Sequence, residues 1–190
     1  TQQKVVPVIK IRENTSWSCH HGVQRWSGAC SCTPNSEWKK PLREALERLS
    51  DEVDKIFAAS CEGLLENVWN ARDQYIEVFS GDRKFVDWLQ SQSGSTLPDE
   101  KVVQLEKLFQ AELECQRMFT SCAWFFNDLD RIEPRNAVTY AAHAVWLVKQ
   151  ANGIDITQDI AIILEKSKSW QTAISALDFF KEVMRRFDQT

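Results

Sequence analysis

The sequence predicts an all-α protein, an irregular bundle of about six or seven helices that follows an extended, loop-rich N-terminal segment. Apolar residues recur at three- and four-residue steps through most of the chain after residue 41, which indicates amphipathic helices. No alternating pattern typical of a strand follows residue 12. A chain of 190 residues that is 43% hydrophobic is long enough for one domain with a core. We therefore expect a Trp/His/Cys-rich segment over residues 1–40 and a helical bundle over residues 41–190, together one compact domain cut from a larger protein.

The chain opens on a stretch rich in Val and Ile, residues 5–11, which is compatible with a strand that a partner covers. The first helix is predicted after Ser36, a candidate cap, with Pro41 in its first turn, where the missing N–H costs nothing. Gly63 is expected to break or kink this helix. Its buried stripe is predicted at Leu42, Ala45, Leu46, Leu49, Val53, Ile56 and Phe57.

Two shorter helices and a long one are predicted in the middle of the chain. The shorter ones cover residues 66–79 and 83–90. Pro98 and the two acids after it open the long helix, because early acids complement the positive end of the helix dipole. Its apolar pattern runs on to residue 126, and Pro134 interrupts and restarts it.

The C-terminal third is predicted to contain three more helical stretches. Residues 137–148 are apolar nearly all round, as expected of a central helix, and Gly153 marks its end. Further helices are predicted over residues 156–167 and 172–187. The stripe of the last one is Ala173, Leu177, Phe180, Met184 and Phe187.

The distribution of charge excludes some classes of partner. Residues 1–40 carry six Lys and Arg against two Asp and Glu, whereas the remaining residues carry 17 against 25. Because this acidic body has no arginine-rich run, nucleic acid is not expected as a partner. The longest apolar run, around residues 161–164, is far too short to cross a bilayer, so no membrane partner is expected either. We expect a cytoplasmic protein with reduced cysteines, while composition leaves disulfides open.

Residues 17–32 concentrate reactive side chains. They offer three thiols and two imidazoles: Cys19, His20, His21, Cys30 and Cys32. Zinc prefers four such ligands in a tetrahedron, and Gly22 and Gly28 would let a loop fold around an ion. Zinc is therefore the candidate cofactor, with Cys19, His21, Cys30 and Cys32 as ligands. The spacing is not that of a standard zinc finger or ribbon, so buried thiols beside surface histidines, or a disulfide or redox pair, stay open.

Other chemistry for this segment has less support. Heme attachment through Cys19 and His20 would need a cysteine at position 16, where the chain has Ser16. A catalytic Cys–His pair lacks any signal for oxyanion donors or an orienting third group. The remaining thiols and the third histidine lie in helical patterns and are expected to be core residues: Cys61, Cys115, Cys122 and His143.

Aromatic residues suggest a second kind of site. Flat indole faces stack on the apolar faces of sugars, so Trp17, Arg25 and Trp26 would suit a carbohydrate surface, although a small satellite core is the alternative. A second mixed group would combine residues from two helices. Its candidate sugar-binding members include Asp73, Trp124 and Asp128.

Three motifs in order resemble one known family: ENTSWSCHHGVQRW with CSC downstream, WNARDQYIEVF, and RMFTSCAWFFNDLDRIE. Together they resemble the helical C-terminal domain of unknown function (DUF3536-like) of bacterial proteins related to family 57 glycoside hydrolases. The resemblance covers about residues 13–142. It places Ser31 and Ala123 where the family pattern has glycine, which bears on the geometry of any site there.

This resemblance implies a partner and a role. The partner is an upstream hydrolase barrel of the same polypeptide, acting on α-glucans and carrying the two catalytic carboxylates. The chain itself would be a non-catalytic accessory domain that packs on the barrel and shapes its substrate cleft, with an oligosaccharide as candidate ligand. The alternative is a purely structural or protein-interaction domain, with or without zinc. The third motif also raises the hypothesis that Cys122 approaches the first segment as a fourth thiol.

Overall fold

The computed structural model describes residues 10–189, which are mainly helical. There are ten helical segments in this part of the chain, and seven of them have seven or more residues. No β-strand occurs among residues 10–189, only two isolated bridges. The predicted all-α fold is confirmed. Most of the β-compatible stretch lies outside the described residues. The helices are α1 (Gln24–Ser27), α2 (Lys39–Cys61), α3 (Val68–Gln74), α4 (Ile76–Phe79), α5 (Phe85–Ser93), α6 (Asp99–Arg117), α7 (Ser121–Phe125), α8 (Ile132–Asn152), α9 (Thr157–Lys166) and α10 (Ala176–Phe187).

The core is built around α6 and α8. Helix α8 packs on α6, α7 and α10, while α2 packs on α6 and α9. Residues 137–148 of α8 are apolar nearly all round, as predicted, and this allows α8 to pack against neighbours on several sides. Phe109 of α6 anchors an aromatic group, and its ring centroid lies 4.9 Å from that of Phe57 and 5.0 Å from that of Trp88. Three helices thus share one aromatic core.

The first long helix begins two residues later than a cap at Ser36 implies, and Pro41 lies in its first turn as predicted. It starts at Lys39 behind Trp38, so the prediction of Ser36 as its cap is wrong. Ser36 is buried, and its hydroxyl donates to the Thr33 carbonyl at 2.6 Å, which stabilises the preceding loop. Six of the seven predicted stripe residues are fully buried and Ile56 is partly buried. The helix ends just before Gly63, as predicted.

The middle of the chain is divided more finely than its periodicity indicated. The helix predicted over residues 66–79 is split at Tyr75 into α3 and α4. The long helix predicted from Pro98 ends at Arg117, because Thr120 adopts an extended conformation before the short α7 begins. Pro134 lies in the first turn of α8, so it begins a helix and interrupts none.

The C-terminal helices are close to the prediction. Gly153 ends α8 with a left-handed backbone, and its N–H donates to the Lys149 carbonyl. Ser175 caps α10 through a reciprocal capping box with Asp178. Ala173 is exposed, precedes this helix and has a φ of 60°, so its assignment to the buried stripe is wrong. None of the helices in the described residues is long and apolar enough to cross a membrane.

Candidate functional site

Residues 14–33 form a loop that turns back on itself around the Cys/His segment. Its first turn is at Gly22, whose φ of 71° is one that L side chains rarely adopt. A Cβ at Gly22 would lie 2.7 Å from the carbonyl oxygen of Asn14, so only glycine allows this close approach. After the single turn of α1, the Thr33 N–H donates to the Cys30 carbonyl at 2.8 Å and closes a second turn. The two turns bring residues 19–21 beside residues 30–32.

The four predicted zinc ligands converge. The ligand atoms of Cys19, His21, Cys30 and Cys32 all lie within 4.8 Å of one another. Cys19 Sγ is 3.6 Å from Cys30 Sγ and 3.8 Å from Cys32 Sγ. His21 Nδ1 is 3.4 Å from the sulfur of Cys30 and 3.2 Å from that of Cys32. The fifth candidate, His20, is outside this set. Its Nδ1 lies 3.9 Å from the Cys32 sulfur, and its ring centroid lies 3.8 Å from that of His21.

The surroundings of this set favour negative charge on Cys30. The pKa of Cys30 is lowered chiefly by a hydrogen bond from the Cys32 backbone, and the positive charge of Arg25 contributes as well. The pKa of Cys32 is raised to about 11 by desolvation and by the two neighbouring thiols. The two neighbouring thiols thus oppose ionisation of Cys32, because like charges raise each other's pKa. A positive ion among them would reverse that effect.

Lys39, which was not among the residues predicted from the sequence, joins the loop to the bundle. It is fully buried, and its ammonium donates to the carbonyls of Trp124 at 2.6 Å and Arg25 at 3.4 Å. Burial and then the charge of Arg25 lower the pKa of Lys39 to about 8. The burial of Lys39 could have been predicted from its position in the helix, because a residue three positions before Leu42 lies on the buried side of α2.

An aromatic cleft adjoins the Cys/His loop. It encloses about 500 Å³ between the loop and α7. Trp17 is 91% exposed, and its ring stacks beside that of Phe125 with 6.3 Å between centroids. The Arg25 guanidinium also lies over the Phe125 ring, 4.5 Å from its centroid. The full lining is Thr15, Ser16, Trp17, Val23, Trp26, Ser121, Cys122, Phe125 and Phe126.

The structure therefore brings Trp17, Arg25 and Trp26 together but disperses the other candidate sugar-binding residues. Trp124 is 1% exposed and stacks on Trp38 at 6.5 Å, so its faces belong to the core. Asp128 is also 1% exposed, and its carboxylate accepts hydrogen bonds from the Ser169 hydroxyl and the Trp170 N–H at 3.0 and 3.1 Å. Asp73 is exposed, is paired with Arg72 and borders a different cleft.

The remaining cysteines divide between core and surface. Cys61 and Cys115 are buried as predicted, but Cys122 is exposed, because α7 directs it into the aromatic cleft. It is not a member of the converging Cys/His set, so the hypothesis of a fourth thiol is not supported. The predicted core histidine, His143, is about one third exposed, and its ring stacks on Phe187 and lies 3.4 Å from Glu114.

Comparison with known families gives a match over most of the chain. The model of the family described as "Domain of unknown function (DUF3536)" matches residues 35–184, most of the chain. The chain belongs to this family. The match begins after Cys32, so it covers the bundle and α7 but not the Cys/His loop. No curated protein and no solved structure matches the chain.

Proposed function

We propose that this member of the DUF3536 family is a non-catalytic accessory domain of a carbohydrate-active protein related to family 57 glycoside hydrolases. It would pack beside the catalytic barrel and hold an α-glucan chain in the aromatic cleft. The observation that carries the proposal is Trp17, whose ring is 91% exposed at the cleft mouth next to the ring of Phe125. Tryptophan side chains are usually mostly buried, so a solvent-facing indole beside a cleft suits a ligand.

The cleft has the composition that a sugar chain needs. Its floor is aromatic, and the indole of Trp17 is free to stack on the apolar face of a glucose ring. Hydroxyl groups of Thr15, Ser16 and Ser121 line the same cleft and can exchange hydrogen bonds with sugar hydroxyls. An apolar surface with a few polar groups is typical of a binding site for a small ligand.

The lining also supports a role in positioning substrate without cleaving it. Glycoside hydrolysis generally needs two carboxyl groups on opposite sides of the bond, and the residues that line this cleft include no Asp or Glu. Holding a glucan chain in place would increase the effective concentration of substrate at a neighbouring active site. In this proposal the barrel supplies the two carboxyl groups that act as acid and base in hydrolysis.

Titration of the whole chain with a linear α-1,4-linked glucose oligosaccharide tests the proposal. Trp17→Ala should weaken binding about tenfold, or about 1.4 kcal/mol, because it removes the stacking face. Trp69→Ala is the matched control, since Trp69 is 42% exposed and does not line the cleft. Absence of binding, or equal weakening by both changes, would overturn the proposal.

A second candidate function is a protein-interaction domain that packs on the barrel through the same cleft. The observation in its favour is the mainly aromatic lining, because aromatic pockets also anchor protein partners. In that case no oligosaccharide would bind, and Trp17→Ala would instead weaken association with the hydrolase module. Measuring both kinds of binding on the same variants separates the two functions.

A further inference from the structure

We infer that Cys19, His21, Cys30 and Cys32 bind a single Zn²⁺ ion in a closed structural site that fixes the loop bordering the aromatic cleft. The inference rests on the positions of four side chains and does not depend on what occupies the cleft. It concerns a part of the chain that lies before the region matched by the family.

The distances agree with one tetrahedral ion. Zinc lies about 2.3 Å from thiolate sulfur and about 2.0 Å from imidazole nitrogen, so tetrahedral ligands are separated by about 3.8 Å for two sulfurs and about 3.5 Å for sulfur and nitrogen. The two sulfur pairs from Cys19 measure 3.6 and 3.8 Å. The distances from His21 Nδ1 to the three sulfurs are 3.2, 3.4 and 3.8 Å. Each of these five distances is within about half an ångström of the tetrahedral value, and the sixth pair, the sulfurs of Cys30 and Cys32, lies within 4.8 Å.

An iron–sulfur cluster or simple burial of the thiols accounts less well for this arrangement. An iron–sulfur cluster spreads its cysteines over two or more iron ions, whereas these four ligand atoms lie within 4.8 Å of one another. Burial of thiols as small hydrophobes accounts for Cys19 and Cys30 but not for Cys32 and His21, which are exposed. An ion bound by all four residues explains why the exposed groups of His21 and Cys32 lie so close to the two buried thiols.

The surroundings of the four ligands support a metal–thiolate centre. Three thiolates and a neutral imidazole around Zn²⁺ carry a net charge of −1, and the positive charges of Arg25 and Lys39 act on Cys30 nearby. The Cys32 backbone donates a hydrogen bond to the sulfur of Cys30, and a donor of this kind commonly supports a metal-bound ligand. The Ser36 hydroxyl accepts from the Cys30 N–H at 3.4 Å and holds the second turn in place.

The ion would connect the two arms of the loop. One arm carries Cys19 and His21, and the other carries Cys30 and Cys32. The short helix between them carries Trp26, which lines the cleft, and Arg25, which lies over the ring of Phe125. Four protein ligands leave no open position, which makes the site structural and not hydrolytic. Removal of zinc should therefore increase hydrogen exchange in residues 14–33 and leave α6 and α8 protected.

The direct test is metal analysis of the whole chain, purified with its thiols reduced and without chelator. We expect one zinc ion per chain, and Co²⁺ in its place should give thiolate-to-cobalt charge transfer together with the intense visible bands of a tetrahedral ion. Cys30→Ser and His21→Ala should each lower zinc affinity more than about 100-fold. This is a larger loss than is usual when the changed residue only hydrogen-bonds to a metal ligand. Competition with a chromogenic chelator measures this affinity.

Two control variants sharpen the test. His20→Ala and Cys122→Ser remove the neighbouring imidazole and a nearby exposed thiol that do not belong to the set, so both should keep one zinc ion. The inference is overturned if reduced wild-type protein neither contains nor takes up Zn²⁺ or Co²⁺. A disulfide between Cys19 and Cys30 in mass analysis would also overturn it. So would control variants that lose metal as readily as Cys30→Ser. Wild-type metal content decides the matter even where a variant fails to fold, and its result is independent of glucan binding.

Discussion

Replacing Glu112 by Gln should stabilise the protein, and the gain should grow with pH. Glu112 lies on α6 in the core, is 2% exposed, and one of its carboxylate oxygens has no hydrogen-bond partner. Burial is the main cause of a pKa raised to about 8, and the nearby Asp54 adds to it, while Arg72, 3.8 Å away, opposes it. Glutamine keeps the shape and a donor toward Asp54 but cannot ionise.

The magnitude follows from the difference between the folded and unfolded pKa. A raised carboxyl pKa stabilises the folded state below the unfolded value of 4.5, and this contribution is lost as pH rises toward about 8. Each pH unit in that window is equivalent to about 1.4 kcal/mol, so the free energy of unfolding at pH 7 is lowered by up to about 3 kcal/mol. Above the folded pKa both states are ionised and the difference becomes constant.

Urea unfolding of the wild type and of Glu112→Gln between pH 5 and 9 measures this effect. The difference in unfolding free energy should rise by about 1.4 kcal/mol per pH unit, flattening as the pH approaches 8 and then levelling off. Glu44→Gln is the matched control, because Glu44 is exposed on α2 and should give a flat difference. A flat difference for Glu112→Gln, or one that falls with pH, would refute the assignment of a neutral carboxyl at this position.

Two further predictions concern the loop and the core. Gly22→Ala should destabilise the loop by about 2 kcal/mol or more and lower zinc affinity, because the new Cβ would lie 2.7 Å from the Asn14 carbonyl oxygen. Gly81→Ala is the control, because Gly81 has a similar φ but open space around it. Equal zinc affinity in both variants would contradict the importance of the close approach at Gly22. Phe109→Ala should lower the unfolding free energy by about 3–5 kcal/mol, because it leaves a cavity between the rings of Phe57 and Trp88. Its zinc content should be unchanged, and a loss below about 1 kcal/mol in urea unfolding would count against Phe109 as the centre of this core.

The metal inference and the proposed function meet at the loop of residues 14–33. The same loop supplies the Cys/His set on one side and Trp17 with Trp26 on the other. If both hold, chelation of zinc should weaken oligosaccharide binding without altering the bundle, because the loop loses its order while the core stays intact. Zinc binding without glucan binding would leave a structural domain of the DUF3536 family, and the two outcomes are distinguished by separate measurements.

Local patterns were sufficient for most of the helices. The stripe of α2 and the end of α8 at Gly153 were predicted because three- and four-residue spacing and a left-handed glycine act over a few residues. The division of the residues 99–126 pattern into α6 and α7 was not predicted. It depends on Thr120 turning out of the helix so that Trp124 packs on Trp38. Periodicity alone does not register such a turn, because the apolar spacing continues through it.

The candidate sites show the same difference between features set by local sequence and features set by contacts between distant residues. The four metal ligands could be selected from the sequence because they lie within fourteen residues, and two short turns bring them together. Which aromatic and acidic residues face solvent was decided by packing between distant elements. Trp17 lies at the cleft because α7 supplies Phe125 beneath it, whereas Asp128 is buried because a segment about forty residues further on donates hydrogen bonds to it. Burial and partners of this kind arise from contacts far apart in the chain, and no local pattern specifies them.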